Sequence, residues 1–252
     1  MIPKITIGNT NTLNTCGVSG PTTINVKQGT YTEQFVLNSF LGSSRINMVT
    51  FQPDPTNTTP VILTYSASTT ADNYVVRFDG ASYVTMDSIT ITAAGTSYGY
   101  GVSLWKGNNI TVKNCNISST VGTNSNLVPI HNDRLAANII ENVTIENNTI
   151  TGGYYSIYMY GGSSAGKEEG NAILGNTITD GNTYMIYSYY QKGNRIENNT
   201  IEQISTATSS SFSPVKSSNH STESSFKLIK KRGNSVCNTK ISSGKSLLSA
   251  SK

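Results

Sequence analysis

Ile145-Glu-Asn-Asn-Thr-Ile150 decides the fold, because the phrase recurs. It returns as Val112-Lys-Asn-Cys-Asn-Ile117, Ile173-Leu-Gly-Asn-Thr-Ile178 and Ile196-Glu-Asn-Asn-Thr-Ile201, with a fainter copy at Met86-Asp-Ser-Ile-Thr-Ile91. In all five an apolar residue is followed five positions later by isoleucine, and the closing isoleucines step by 26, 33, 28 and 23 residues. Self-similarity at such a period marks a solenoid.

Working outward, Val76–Ile91 lies over Val102–Ile117 without a gap. Each stretch reads as three short strands separated by turns. Apolar residues alternate within the strands, as in Val102 and Leu104, then Ile110 and Val112. This period of two places side chains alternately inside and outside. Strand, turn, strand, turn, strand and a loop of variable length describe one coil of a parallel β-helix. A single coil cannot bury its apolar face, so the stack is the cooperative unit.

Composition agrees. The 252 residues include 28 Asn and 33 Thr, about a quarter of the chain, and only 13% are charged. Both residue types are poor helix formers; Thr favours strands and Asn favours turns. A helical bundle is excluded, and no apolar run approaches the roughly 18 residues of a membrane-spanning helix. Asn114, Asn147 and Asn198 share one column of the repeat, and Asn148, Asn176 and Asn199 share the next. Asn tolerates a left-handed corner, and amides repeated about every 4.8 Å can hydrogen-bond up a stack. An asparagine ladder is the expectation.

The N-terminal part fits a less regular form of the same solenoid. Thr22–Val26, Gln28–Tyr31, Gln34–Leu37, Ile46–Gln52 and Val61–Tyr65 read as strands, with a Pro-rich turn at 53–60. The stretches Gly20–Glu33 and Asn73–Met86, with the Asn-Asn-Thr-Ile phrases, resemble the right-handed parallel β-helix repeat proteins of the pectin-lyase-like superfamily, particularly the large secreted or surface proteins of gliding and environmental bacteria. The resemblance covers about residues 5–205. It implies an all-β, right-handed parallel β-helix, with N-terminal cap and first coils at 1–70 and regular coils at 71–205. It also implies an extracellular or cell-surface location, although Met1–Gly8 shows no signal peptide. Activity does not follow, since the superfamily includes polysaccharide lyases, glycoside hydrolases, adhesins and tailspikes.

Residues 206–252 differ: they hold 15 Ser and 8 basic side chains against one acidic. Such a segment reads as a disordered tail, or as an aberrant stretch where a longer solenoid is cut short. Residues 1–205 carry 10 basic and 13 acidic side chains, so the pI does not point to nucleic acid. Cys16, Cys115 and Cys237 form no CxxC pair, and with two histidines no metal site or cofactor is expected.

For chemistry, no Asp-Asp pair suits a glycoside hydrolase, and no acidic cluster suits calcium. Glu168-Glu169, in a Gly/Ser-rich loop, reads as a solvated charge pair. His131-Asn-Asp133-Arg134 is the catalytic candidate, with Glu141 in the adjoining loop, since histidine titrates near neutrality.

The outward column of the first strand is more informative. Carrying the register across the loops gives Asp79, Trp105, His131, Tyr160 and Tyr189 in one row, and Arg77, Ser103, Pro129, Tyr158 and Tyr187 two positions earlier. Aromatics outside a core suit stacking on sugar rings, and Arg77 and Asp79 offer polar contacts. The expected ligand-binding set is therefore Trp105, His131, Tyr158, Tyr160, Tyr187, Tyr189, Arg77 and Asp79. The reading is a non-catalytic β-helix of an exported bacterial surface protein that binds polysaccharide or a cell-surface glycan, or mediates adhesion. The alternatives are a polysaccharide lyase or glycoside hydrolase on the same fold, or a structural stalk without ligand.

Overall fold

The computed structural model describes residues 13, 15–132, 138–162, 168–204, 213–218, 223–232 and 235–242. The chain winds as a parallel β-helix. In its first column of strands, Phe35–Asn38, Val76–Asp87, Gly99–Lys113, Leu127–Asn132, Tyr155–Tyr160 and Tyr184–Tyr189 pair in parallel, each with the strand one coil on. The apolar phrases stack as the repeat requires. Met86, Val112, Ile145, Ile173 and Ile196 form one interior row, and Leu63, Ile91, Ile117, Ile150, Ile178 and Ile201 another. All are buried. Each buried isoleucine contributes roughly 1.5–3 kcal/mol by leaving water.

Two corners bend every regular coil. At one, Ser88, Asn114, Asn147 and Asn198 adopt positive φ of 54–58°, and Gly175 takes the same place at 62°. Asparagine and glycine carry the least strain there. The other corner, which the repeat phrase does not announce, is made by Tyr83, Asn109, Asn142, Gly170 and Gly193. The residue after the first corner turns inward, and here the ladder forms. Asn148 Oδ1 accepts from the Cys115 N–H at 2.9 Å; Asn176 Oδ1 accepts from the Asn148 N–H at 2.9 Å; Asn199 Oδ1 accepts from the Asn176 N–H at 2.9 Å. Each amide nitrogen also donates to a main-chain carbonyl, Val112, Ile145 or Ile173. Cys115 occupies the ladder position of its coil, where burial pushes the thiol up to about 12.

The first coils follow the expected strands at Thr22–Val26, Gly29–Thr32, Phe35–Asn38, Val49–Pro53 and Val61–Tyr65. Ile46 is the exception: it lies in a turn, strongly exposed, with Ser44 and Asn47 bridging across it. Past residue 205, whose composition predicts a tail outside the stack, the structure adds backbone pairing. Ser213–Ser218 lies on Tyr184–Tyr189, Glu223–Arg232 on Arg195–Gln203, and Ser235–Ser242 closes antiparallel on Glu223–Arg232. Unpaired strand edges of the last coil supply the hydrogen-bonding groups for this, whatever the side chains.

Candidate functional site

The aromatic side chains converge on the outer face of the first column. Tyr155-Ser-Ile-Tyr-Met-Tyr160 and Tyr184-Met-Ile-Tyr-Ser-Tyr189 are one phrase, Tyr-x-Ile-Tyr-x-Tyr, repeated 29 residues on. Strand pairing sets Tyr155 on Tyr184, Tyr158 on Tyr187 and Tyr160 on Tyr189. Ring centroids are 5.8, 5.1 and 5.5 Å apart, with interplanar angles of 10° or less. His131 continues the middle row: its ring lies 5.3 Å from Tyr158 and 3.9 Å from Tyr100. At the other end Lys216 Nζ sits 5.7 Å from the Tyr187 ring.

This arrangement corrects the expected register at one coil. His131 pairs with Ser103 and Tyr158, rather than standing in the row of Trp105 and Tyr160, and Pro129 is no member of the outward row. The slip is two residues. Leu127, Val128, Pro129 and Ile130 are all buried and show no alternation, so a shift of two conserves the in–out parity and leaves no mark in the sequence. Trp105 is likewise displaced: Phe78 pairs with Leu104 but Asp79 with Lys106, so the tryptophan bulges out of the ladder.

The rings present their edges, because their faces stack on one another. Tyr158 is only 9% exposed. Burial, with the crowding of neighbouring phenols, pushes Tyr187 up to about 12 and raises Tyr155 as well.

Where the row ends, beside the small Ser103, a cleft of about 390 Å³ opens, walled by Arg77, Tyr100, Trp105, His131 and Tyr158. Gly101 permits this wall: a Cβ there would lie 2.7 Å from the Pro129 carbonyl oxygen of the next coil. The Arg77 guanidinium is held 3.8 Å from the Tyr74 ring centroid and 4.8 Å from that of Trp105. Its Nε is buried without a hydrogen-bond partner among the described residues. Asp79 is engaged by Lys106 at 3.3 Å and does not line the cleft. Chemically the cleft offers flat apolar walls, a fixed cation, an imidazole, and hydroxyl and amide groups from Ser103, Ser125 and Asn126.

Of the residues expected to bind, Arg77, Trp105, His131 and Tyr158 meet in the cleft, while Tyr160, Tyr187 and Tyr189 extend the aromatic row away from it. Asp133 and Arg134 lie outside the described residues. Glu141 sits on the short strand Ile140–Glu141, paired with Gly107 and Asn108 away from the cleft walls. Sequence reasoning passes over Tyr100, Tyr74, Tyr155 and Lys216; the repeated Tyr-x-Ile-Tyr-x-Tyr phrase is the signal for Tyr155, and the glycines flanking Tyr100 hide it as a loop. Glu168 is a correction as well. It is 1% exposed, not solvated, and takes the interior position above Ile140; only Glu169 reaches solvent, paired with Lys192. Among the described residues no group of three or more His, Cys, Asp or Glu side chains is placed to hold a metal ion.

The profile of the family described as right handed beta helix region matches residues 57–246. No curated protein and no solved structure matches the chain.

Proposed function

Since the chain belongs to the right-handed β-helix family, we propose that it is a non-catalytic module of an exported or surface-displayed protein that recognises a glycan through the cleft. The observation that carries this reading is the cleft beside Ser103, where the aromatic row ends against Arg77 and Trp105. Sugars are recognised by a flat apolar wall together with a few convergent polar groups, and this cleft supplies both. The upright tyrosines beyond it add a line of phenol edges suited to hydrogen bonds along an extended chain. Export follows the secreted and surface character of the resembling proteins.

Trp105 is the single tryptophan and lines the cleft, so its emission reports occupancy. Titration with acidic and neutral oligosaccharides gives a saturable shift that Tyr100→Ala abolishes. A flat response across the panel removes the glycan reading. It would favour a stalk, a reading with its own support: the tyrosine faces are consumed by mutual stacking, as in a scaffold. Product release from the same panel, lost in His131→Ala, would instead establish a lyase or hydrolase.

A further inference from the structure

The third strand of each coil carries a pattern that neither the cleft nor the aromatic row uses. Thr90-Ile-Thr92, Asn116-Ile-Ser118, Thr149-Ile-Thr151 and Thr177-Ile-Thr179 each bury the isoleucine and turn its two neighbours outward. Thr30-Tyr-Thr32 and Ile62-Leu-Thr64 carry the pattern into the first coils. Parallel pairing stacks these positions in two ranks. One runs Thr32, Thr64, Thr92, Ser118, Thr151 and Thr179, six hydroxyl side chains without interruption. The other runs Thr30, Ile62, Thr90, Asn116, Thr149 and Thr177. Nine of the twelve residues are threonine and none is charged. Strand propensity accounts for threonine in part, but not for the missing charge. An outward rank of the second strand, over the same coils, reads Asp87, Lys113, Glu146, Leu174 and Glu197.

The two ranks form a rigid net. Neighbouring coils are about 4.8 Å apart, and outward positions two residues apart lie about 6.6 Å from each other along the strand. Threonine is stiff at χ1 because its Cβ is branched, so hydroxyl and methyl both repeat with the backbone. In the first rank the Thr151 and Thr179 hydroxyls lie 3.0 Å apart, and Ser118 Oγ donates to Thr92 Oγ1 at 3.4 Å. These contacts hold the side chains in step from coil to coil. In the second rank Thr149 and Thr177 stand exposed to solvent.

We propose that this face binds ice. Ice is an uncharged, rigid lattice whose oxygen atoms repeat, on its prism faces, over a rectangular net of comparable dimensions. One hydroxyl gains little by exchanging bulk water for another partner, so adhesion to ice requires many matched contacts made together. A stack of identical strands delivers them. The hydroxyls take lattice positions, and the methyl groups seat in the hollows between oxygens. Charged side chains would keep their own hydration shells and oppose the lattice. The net has none, in keeping with a neutral ligand, and Glu202 closes the first rank at its end. The net stands on a different strand column from the cleft, so it does not depend on what the cleft binds.

Two readouts on the full chain test this: arrest of ice recrystallisation in frozen sucrose, and partition of the protein into a slowly grown ice hemisphere. Wild-type protein keeps the ice grains small and enters the ice. Thr149→Tyr raises a ring in the middle of the net and loses both effects. Thr144→Tyr, outward on the second strand of the same coil, retains them. The pair Thr149→Ser and Thr177→Ser keeps both hydroxyls but removes the methyls that fix them, and the arrest weakens. These are surface changes of one methyl each and leave the fold intact, so they carry the test where Thr149→Tyr alters the β-sheet circular dichroism. Wild-type protein excluded from the ice, with grains growing as they do in albumin, overturns the proposal. So does undiminished arrest by a folded Thr149→Tyr or by the serine pair, or an equal loss in Thr144→Tyr.

Discussion

Asn176 shows how one side chain can hold three coils. Its oxygen accepts from both the main-chain N–H and the amide of Asn148, and its nitrogen donates to Ile145 and to Asn199. It is fully buried, so each group it satisfies has no water to turn to. Asn176→Ala strands the Asn148 N–H and the Ile145 carbonyl at once. Unmet buried groups cost about 1–3 kcal/mol each, so the loss for these two is roughly 2–6 kcal/mol in urea unfolding. Asn147→Gly, at the adjacent corner with φ of 54°, changes stability little, because glycine adopts that backbone freely. Equal losses for the two would show that the corner, and not the ladder, carries the energy.

At the scale of the element, the strand Tyr155–Tyr160 owes its outer face to repetition. Tyr158 and Tyr187 stack at 5.1 Å and 9°, and a double-mutant cycle of their alanine variants returns a coupling of about 0.5–1.5 kcal/mol. Tyr31 and Tyr187, which share no ring contact, add independently; a coupling of zero for the stacked pair would reduce the row to unrelated surface residues. Such rows are legible in a sequence where alternation is clean. Val76–Ile91 over Val102–Ile117 gives the pairing of whole strands, and the asparagine columns give one corner and the ladder. Legibility fails where alternation fails. Leu127–Ile130 is apolar at every position, so parity admits a two-residue slip and His131 moves a row. Trp105 is displaced by a bulge that no residue type announces. Glu168 lies in a polar stretch, and its burial depends on Asn132 and Gln191, distant in sequence and adjacent only across coils. Composition reports what a residue prefers; the cage that overrides the preference is assembled by the stack.

For the whole molecule, the question set by a solenoid is how it ends, since each coil offers strand edges to the next. The Tyr184–Tyr189 edge is covered by Ser213–Ser218, whose Val215 packs on the core and whose Lys216 lies over Tyr184 and Tyr187. The Arg195–Gln203 edge is covered by Glu223–Arg232, and there the direction reverses, because Ser235–Ser242 pairs antiparallel. A reversal of this kind interrupts the parallel register a further coil would need. The segment after 205 therefore covers both strand edges of the last regular coil, even though it carries none of the repeat phrases. Truncation after Ile204 bares both edges together with the Tyr184 and Tyr187 rings, and the shortened chain associates with itself in a concentration-dependent way by sedimentation velocity, while the full chain under the same conditions shows no comparable rise. A truncated chain that stays monomeric at every concentration tested, with its β-sheet circular dichroism intact, would mean that the last coil protects its own edges and that the basic segment is dispensable to the fold.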